Sequence, residues 1–184
     1  MRELVNPDDA TMVLLYHDLA GLAPPIDAWV EDDLQVRIAP AIDKAARRDT
    51  VRAALQATFA AVHDVGRLRL SVSDAGLSDY DPAYGEFSVR ALSPSSELGF
   101  QAFGQKVVTR FVNGPAAQLW KVPPDQAQAV RDRVGGRRVG LDLLLDVTGA
   151  QPGARGGAIL TRIVSYELRT DDGQVLHRGS PADR

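Results

Sequence analysis

At Gly66 the hydrophobic period of the chain changes from that of helices to that of strands, and this change limits the folds open to it. Before it, Met12, Leu15, Tyr16 and Leu19 recur at the 3.6-residue spacing, as do Val51, Leu55, Thr58, Phe59 and Val62. Each group therefore lies on one face of a helix. After it, Leu68, Leu70 and Val72 alternate with Arg67, Arg69, Ser71 and Ser73, and Phe87, Val89 and Ala91 alternate with Glu86, Ser88 and Arg90. That alternation gives strands with one buried and one wet face. Helices first and half-buried strands afterwards predict an α+β domain: N-terminal helices packed on an antiparallel sheet of about five or six strands, with one inserted short helix.

Local signals set the boundaries. Asn6 reads as an N-cap with Pro7 at the first helical position, predicting a helix over 7–20 that stops at Gly21. A second helix is expected over about 40–65. Glu97 to Val112 reads as extended and broken at Phe103-Gly104. Arg138 to Thr148 places Val139, Leu141, Leu143, Leu145 and Val147 on one face and Asp142 and Asp146 on the other. Pro123-Pro124-Asp125 opens the inserted helix, Gln126 to Val134, and Gly135-Gly136 closes it. Ala158 to Thr170 and Val175 to Arg178 flank a hairpin turn at Asp171-Asp172-Gly173-Gln174. Gln151 to Gly157 reads as a flexible connection and 179–184 as a frayed tail. A chain of 184 residues buries roughly 70% of its unfolded surface as one domain, so 1–184 is read as a single domain: a helical part over 7–65 and a strand-rich part over 66–178.

Composition removes several function classes. With no cysteine, disulfide frameworks, thiolate metal sites and cysteine nucleophiles are excluded. No segment approaches the apolar length of a membrane span. A net charge of -3 and a pI of about 5.6 argue against a general nucleic-acid binder.

The catalytic motifs within reach are weak. His17-Asp18 and His63-Asp64 form His-Asp dipeptides, but a metal site needs several converging ligands and only His177 remains. No Gly-x-Ser-x-Gly elbow occurs. Asp142 and Asp146, four apart on a strand, project roughly 13 Å apart, too far for a glycosidase pair. The glycine-rich runs at 133–140 and 152–157 lead into strands rather than helices, unlike phosphate loops. Arg131, Arg133, Arg137 and Arg138 form a basic cluster that reads as a solvated helix end. The expectation is a non-enzyme: no catalytic residue, no metal and no cofactor, with a hydrolase built from distant residues or a carrier of a small apolar ligand as alternatives.

Two aromatic turns offer a binding surface instead. Tyr80 and Tyr84 precede one strand, and a turn carrying Asn113 and Gln118 delivers Trp120. Aromatic anchors flanked by hydrogen-bonding side chains suit protein recognition. Tyr80, Tyr84, Asn113, Gln118 and Trp120 are therefore expected to lie together and to contact a partner, most readily another protein.

The segments LLYHDLAG, SDYDPAYGEFSV, FVNGPAAQLWKVPPDQAQAV, RRVGLDLLLDVTG and IVSYELRT together resemble an uncharacterised proteobacterial domain family whose members are often exported. The resemblance covers about residues 13–176. It implies a periplasmic or cell-envelope setting if a signal has been removed, with a cytoplasmic location as the alternative, and it carries no functional residues across.

Overall fold

The computed structural model describes residues 1–181; the last three residues of the expected tail lie outside them. The chain opens with a short strand, β1 (Arg2–Val5), and four helices follow: α1 (Asp9–Leu19), α2 (Ile26–Asp32), α3 (Leu34–Ile38) and α4 (Lys44–Ala61). Next come β2 (Val65–Val72), β3 (Glu86–Ser88), a 3₁₀ turn at Arg90–Leu92, β4 (Leu98–Ala102) and β5 (Gln105–Phe111). The chain continues through α5 (Gly114–Gln118), β6 (Leu119–Lys121), α6 (Pro124–Val134), β7 (Gly140–Gly153), β8 (Gly156–Arg169) and β9 (Val175–Gly179).

The α+β class is correct, but the sheet is mixed rather than antiparallel. Its strands run in the order β1-β2-β7-β8-β5-β4, with β9 also paired to β8. β1 pairs with β2, and β5 with β8, in parallel. Both parallel pairs follow from long excursions between partners: α1 to α4 separate β1 from β2, while α5, β6, α6 and β7 separate β5 from β8. Only such crossovers can return a strand in the same direction. The helices are also not all N-terminal, since α5 and α6 are both inserted among the strands. β3 and β6 form a separate two-stranded sheet, and the strand expected through Val89 and Ala91 turns instead into the 3₁₀ segment.

Helix α1 begins two residues later than expected. Its N-cap is Asp8, whose side chain accepts from Thr11 N at 2.8 Å. Asn6 instead adopts φ 42°, donates its N–H to Arg69 O and accepts Ser71 N on Oδ1 at 2.8 Å, so it continues the pairing of β2 where β1 stops. Asparagine tolerates this left-handed geometry better than most residues.

Met12, Val13, Leu14 and Leu15 are all 0% exposed, so α1 is buried on every side rather than along one stripe. The sheet curls around it: the end of β2 and strand β4, far apart in the strand order, line one cleft of about 600 Å³. Leu68, Leu70, Leu141, Leu143, Leu145, Ile163 and Leu168 fill the inner face. The outer face carries the expected Asp142 and Asp146, paired with Arg169 and Arg67. Arg69–Glu3, Arg110–Glu97 and Arg178–Glu167 extend this network.

Candidate functional site

The clearest built recess forms where three distant segments are tied together. Ala75 N donates to Val139 O at 2.7 Å, Ala91 N to Ala75 O at 3.0 Å, and Arg90 N to Gly76 O at 3.1 Å. These bonds hold the loop after β2 between the start of β7 and the 3₁₀ turn. Gly76 has φ 63°, and a Cβ there would lie 2.8 Å from Arg90 Nε, so this glycine both makes the turn and lets the Arg90 side chain lie across it. Helix α6 forms the opposite wall. It ends at Gly135 in the left-handed conformation, and Arg133 anchors it to β9 by donating to Val175 O at 2.8 Å.

The resulting cleft has a volume of about 620 Å³, within the range of ligand sites. Leu77, Phe87, Val134 and Val139 supply its apolar side, and Arg90, Arg131, Arg137 and Arg138 bring four guanidinium groups to it. Arg137 pairs with Asp171 at 3.0 Å. Arg90, Arg131 and Arg138 have no side-chain hydrogen bond or ion pair among the described residues. Three acids alternate with them. Asp74 accepts Gly76 N at 2.9 Å, Asp132 accepts from Gln128 at 2.7 Å, and Asp79 lines the same wall. The arrangement offers directional donors for an anion beside apolar surface, with interspersed carboxylates that reject a purely anionic body. The basic cluster over 131–138 was visible in the sequence. Arg90 and the 74–79 loop were missed, because only tertiary bonds bring them to it.

The two aromatic turns do lie together. Phe87 and Trp120 are directly opposed in the β3–β6 pair, and Lys121 donates to Tyr84 O at 3.1 Å. Their side chains divide by role. Trp120 is 9% exposed and packs on Phe87, and Tyr80 is half-buried, donating its hydroxyl to Val122 O at 2.8 Å. Asn113 donates to Ile163 O at 2.9 Å and accepts Ile163 N at 2.8 Å. It bridges the gap along β8 between the end of β5, opposite Thr161, and the end of β9, opposite Tyr166. Gln118 is half-buried, and its carbonyl accepts Val89 N. Tyr84, at 70% exposure, is the one ring of the three turned outward. Phe87 links this cluster to the arginine cleft, since it belongs to both.

The histidines take separate places. His17 is buried between Tyr16 and Trp29, with Nε2 3.0 Å from Gln105 Oε1 and Nδ1 unpartnered. His63 Nδ1 bonds Asp18, joining the two His-Asp dipeptides at a half-exposed site where no hydroxyl bonds the imidazole among the described residues. His177 stacks on Trp120 with centroids 4.5 Å apart and lies against Tyr166. Burial lowers the His177 pKa and raises that of Tyr166. No group of three or more His, Asp or Glu side chains that could hold a metal ion occurs among the described residues.

Comparison of the chain with protein-family models, with curated proteins and with solved structures gives no match in any of the three.

Proposed function

We propose that this chain is a non-catalytic binding module, in keeping with an envelope setting, whose cleft between α6 and the 74–79 loop receives an acidic segment of another protein. The observation that carries the reading is the set of three guanidinium groups, Arg90, Arg131 and Arg138, which form no ion pair among the described residues and stand beside apolar surface. Such donors recognise carboxylates in paired geometry, and complementary charge confers partner choice. The carboxylates of Asp74, Asp79 and Asp132 in the same lining favour a peptide whose acids are spaced by apolar residues over a compact polyanion. An apolar-ligand carrier is less well supported, because Met12 to Tyr16 occupy the space between helices and sheet. A hydrolase is less well supported as well, because the His63–Asp18 pair is absent from the cleft lining.

Fluorescence anisotropy with a labelled Glu/Leu-alternating peptide tests the reading. The wild-type chain is expected to bind it, with affinity falling as salt rises. The Arg90→Ala/Arg131→Ala variant should weaken binding about tenfold or more without change in melting temperature, and a Lys/Leu peptide should not bind. Equal affinity for both peptides, or no effect of the variant, overturns it.

A further inference from the structure

The arginine cleft has a backbone wall as well as a charged one. Residues 76–78 run antiparallel to 88–90, with Leu77 bridged to Val89. Arg90 N donates to Gly76 O at 3.1 Å and Ser78 N to Ser88 O at 2.9 Å, while Ser88 N donates to Ser78 Oγ at 2.8 Å. Successive residues of an antiparallel strand turn their backbone groups to opposite sides. Gly76 and Ser78 face β3, so Leu77 turns its N–H and C=O away from it. Neither of these two groups has a hydrogen-bond partner among the described residues. Gly76, Leu77, Ser78 and Asp79 line the cleft one after another, with Gln128, Arg131, Asp132 and Val134 of α6 in the same lining. A free strand edge and a helix are thus the two sides of one recess.

Edge and charge together select the form of the occupant. A helical segment satisfies its own backbone and would strand the Leu77 N–H and C=O as it displaced their water. An extended segment offers an N–H and a C=O from every second residue to such an edge. Its side chains alternate between two sides, so acids at every second position gather on one of them. Arg90 lies across Gly76, next to Leu77 along the edge, and Arg131 and Arg138 share the lining. Of the three acids there, Asp74 and Asp132 already accept from Gly76 N and Gln128.

Resting on the reading of the cleft as the receptor for an acidic segment, we propose that the segment binds as a strand added to the Leu77 edge. The partner is then a β-forming stretch of another protein in which acidic and apolar residues alternate. Leu77 N–H donates to a carbonyl of the segment and Leu77 C=O accepts an amide from it.

Four labelled peptides of equal composition apart from methyl groups test this against the full chain by fluorescence anisotropy. They are the Glu/Leu-alternating peptide, the same peptide N-methylated at its central Leu residues, the same N-methylated at its central Glu residues, and a rearranged peptide with Leu at helical spacing. Only one of the two alternating sets can turn its amides to the edge. One methylated peptide is therefore expected to lose about tenfold or more in affinity while the other keeps that of the parent, and the helical arrangement should bind more weakly than the parent. At saturation with the parent peptide, exchange of the Leu77 amide with deuterium should slow about tenfold or more. Equal effects of the two methylation patterns, tighter binding of the helical arrangement, or an unprotected Leu77 amide overturns the added strand and leaves the acidic-segment reading of the cleft standing. A parent peptide that fails to bind, or that binds Arg90→Ala/Arg131→Ala as tightly as wild type, overturns both.

Discussion

Asn113 occupies a position where a strand partner is missing. Its amide supplies one donor and one acceptor to the backbone of Ile163, as a paired strand residue would. Removing it leaves both backbone groups in a half-buried gap. Asn113→Ala is expected to destabilise the fold by about 1–3 kcal/mol, measured by denaturant unfolding, whereas Tyr84→Ala, at an exposed ring, should stay within about 0.5 kcal/mol of wild type. Equal losses at the two positions would mean that Asn113 is not a structural bridge. His177 gives a pH signature. Burial depresses its pKa below the usual 6.5, so the unfolded chain takes up a proton at a higher pH than the folded one. Its contribution to stability is complete above about pH 6.5 and is lost as the pH falls toward the folded-state value. The variant His177→Phe, which retains a ring on Trp120, should flatten this acid-side decline relative to wild type in unfolding curves across the window. An unchanged pH dependence would remove His177 as its source.

Among the elements, α1 and its surroundings show how far periodicity reaches. The 3.6-residue stripe located the helix, but it assigned one buried face to a segment that is enclosed all round. Val13 and Leu14, off the expected stripe, are as buried as Met12 and Leu15, because a curled sheet and the later helices cover both sides. Alternation likewise located most strands without giving their direction, since period two is the same in parallel and antiparallel pairs. β1 carries only four residues, too few for a pattern. The β4–β5 break at Phe103-Gly104 was legible, yet not its chemistry. Both residues have positive φ, as a two-residue hairpin turn requires, and the Phe103 ring stacks on Trp29 at 4.2 Å. Gly157 marks a close approach of β8 to α1: a Cβ there would lie 2.4 Å from Gln151 O and 2.6 Å from the Tyr16 ring. Gly157→Ala is therefore expected to cost about 1–3 kcal/mol by overpacking, read as a lowered denaturation midpoint. A neutral result would show that α1 is not wedged against β8.

For the whole molecule, function separates from the stable frame. The outer sheet face neutralises its charges in pairs, whereas Arg90, Arg131 and Arg138 at the cleft form no ion pair among the described residues. Sequence alone exposed half of the cleft. The arginines over 131–138 stand together in the chain, but Arg90 joins them through backbone bonds spanning Gly76, Ala75 and Val139, which no local pattern announces. The aromatic turns were correctly expected to be neighbours, but a residue type does not reveal whether its ring faces core or solvent. That is why Trp120 and Tyr84 differ so widely in exposure. The most direct test of the account is an amide NMR titration of the chain with the Glu/Leu peptide. Shifts confined to residues 74–79, Arg90 and 128–139 are the predicted result, and shifts centred elsewhere, or none at peptide saturation, would contradict it.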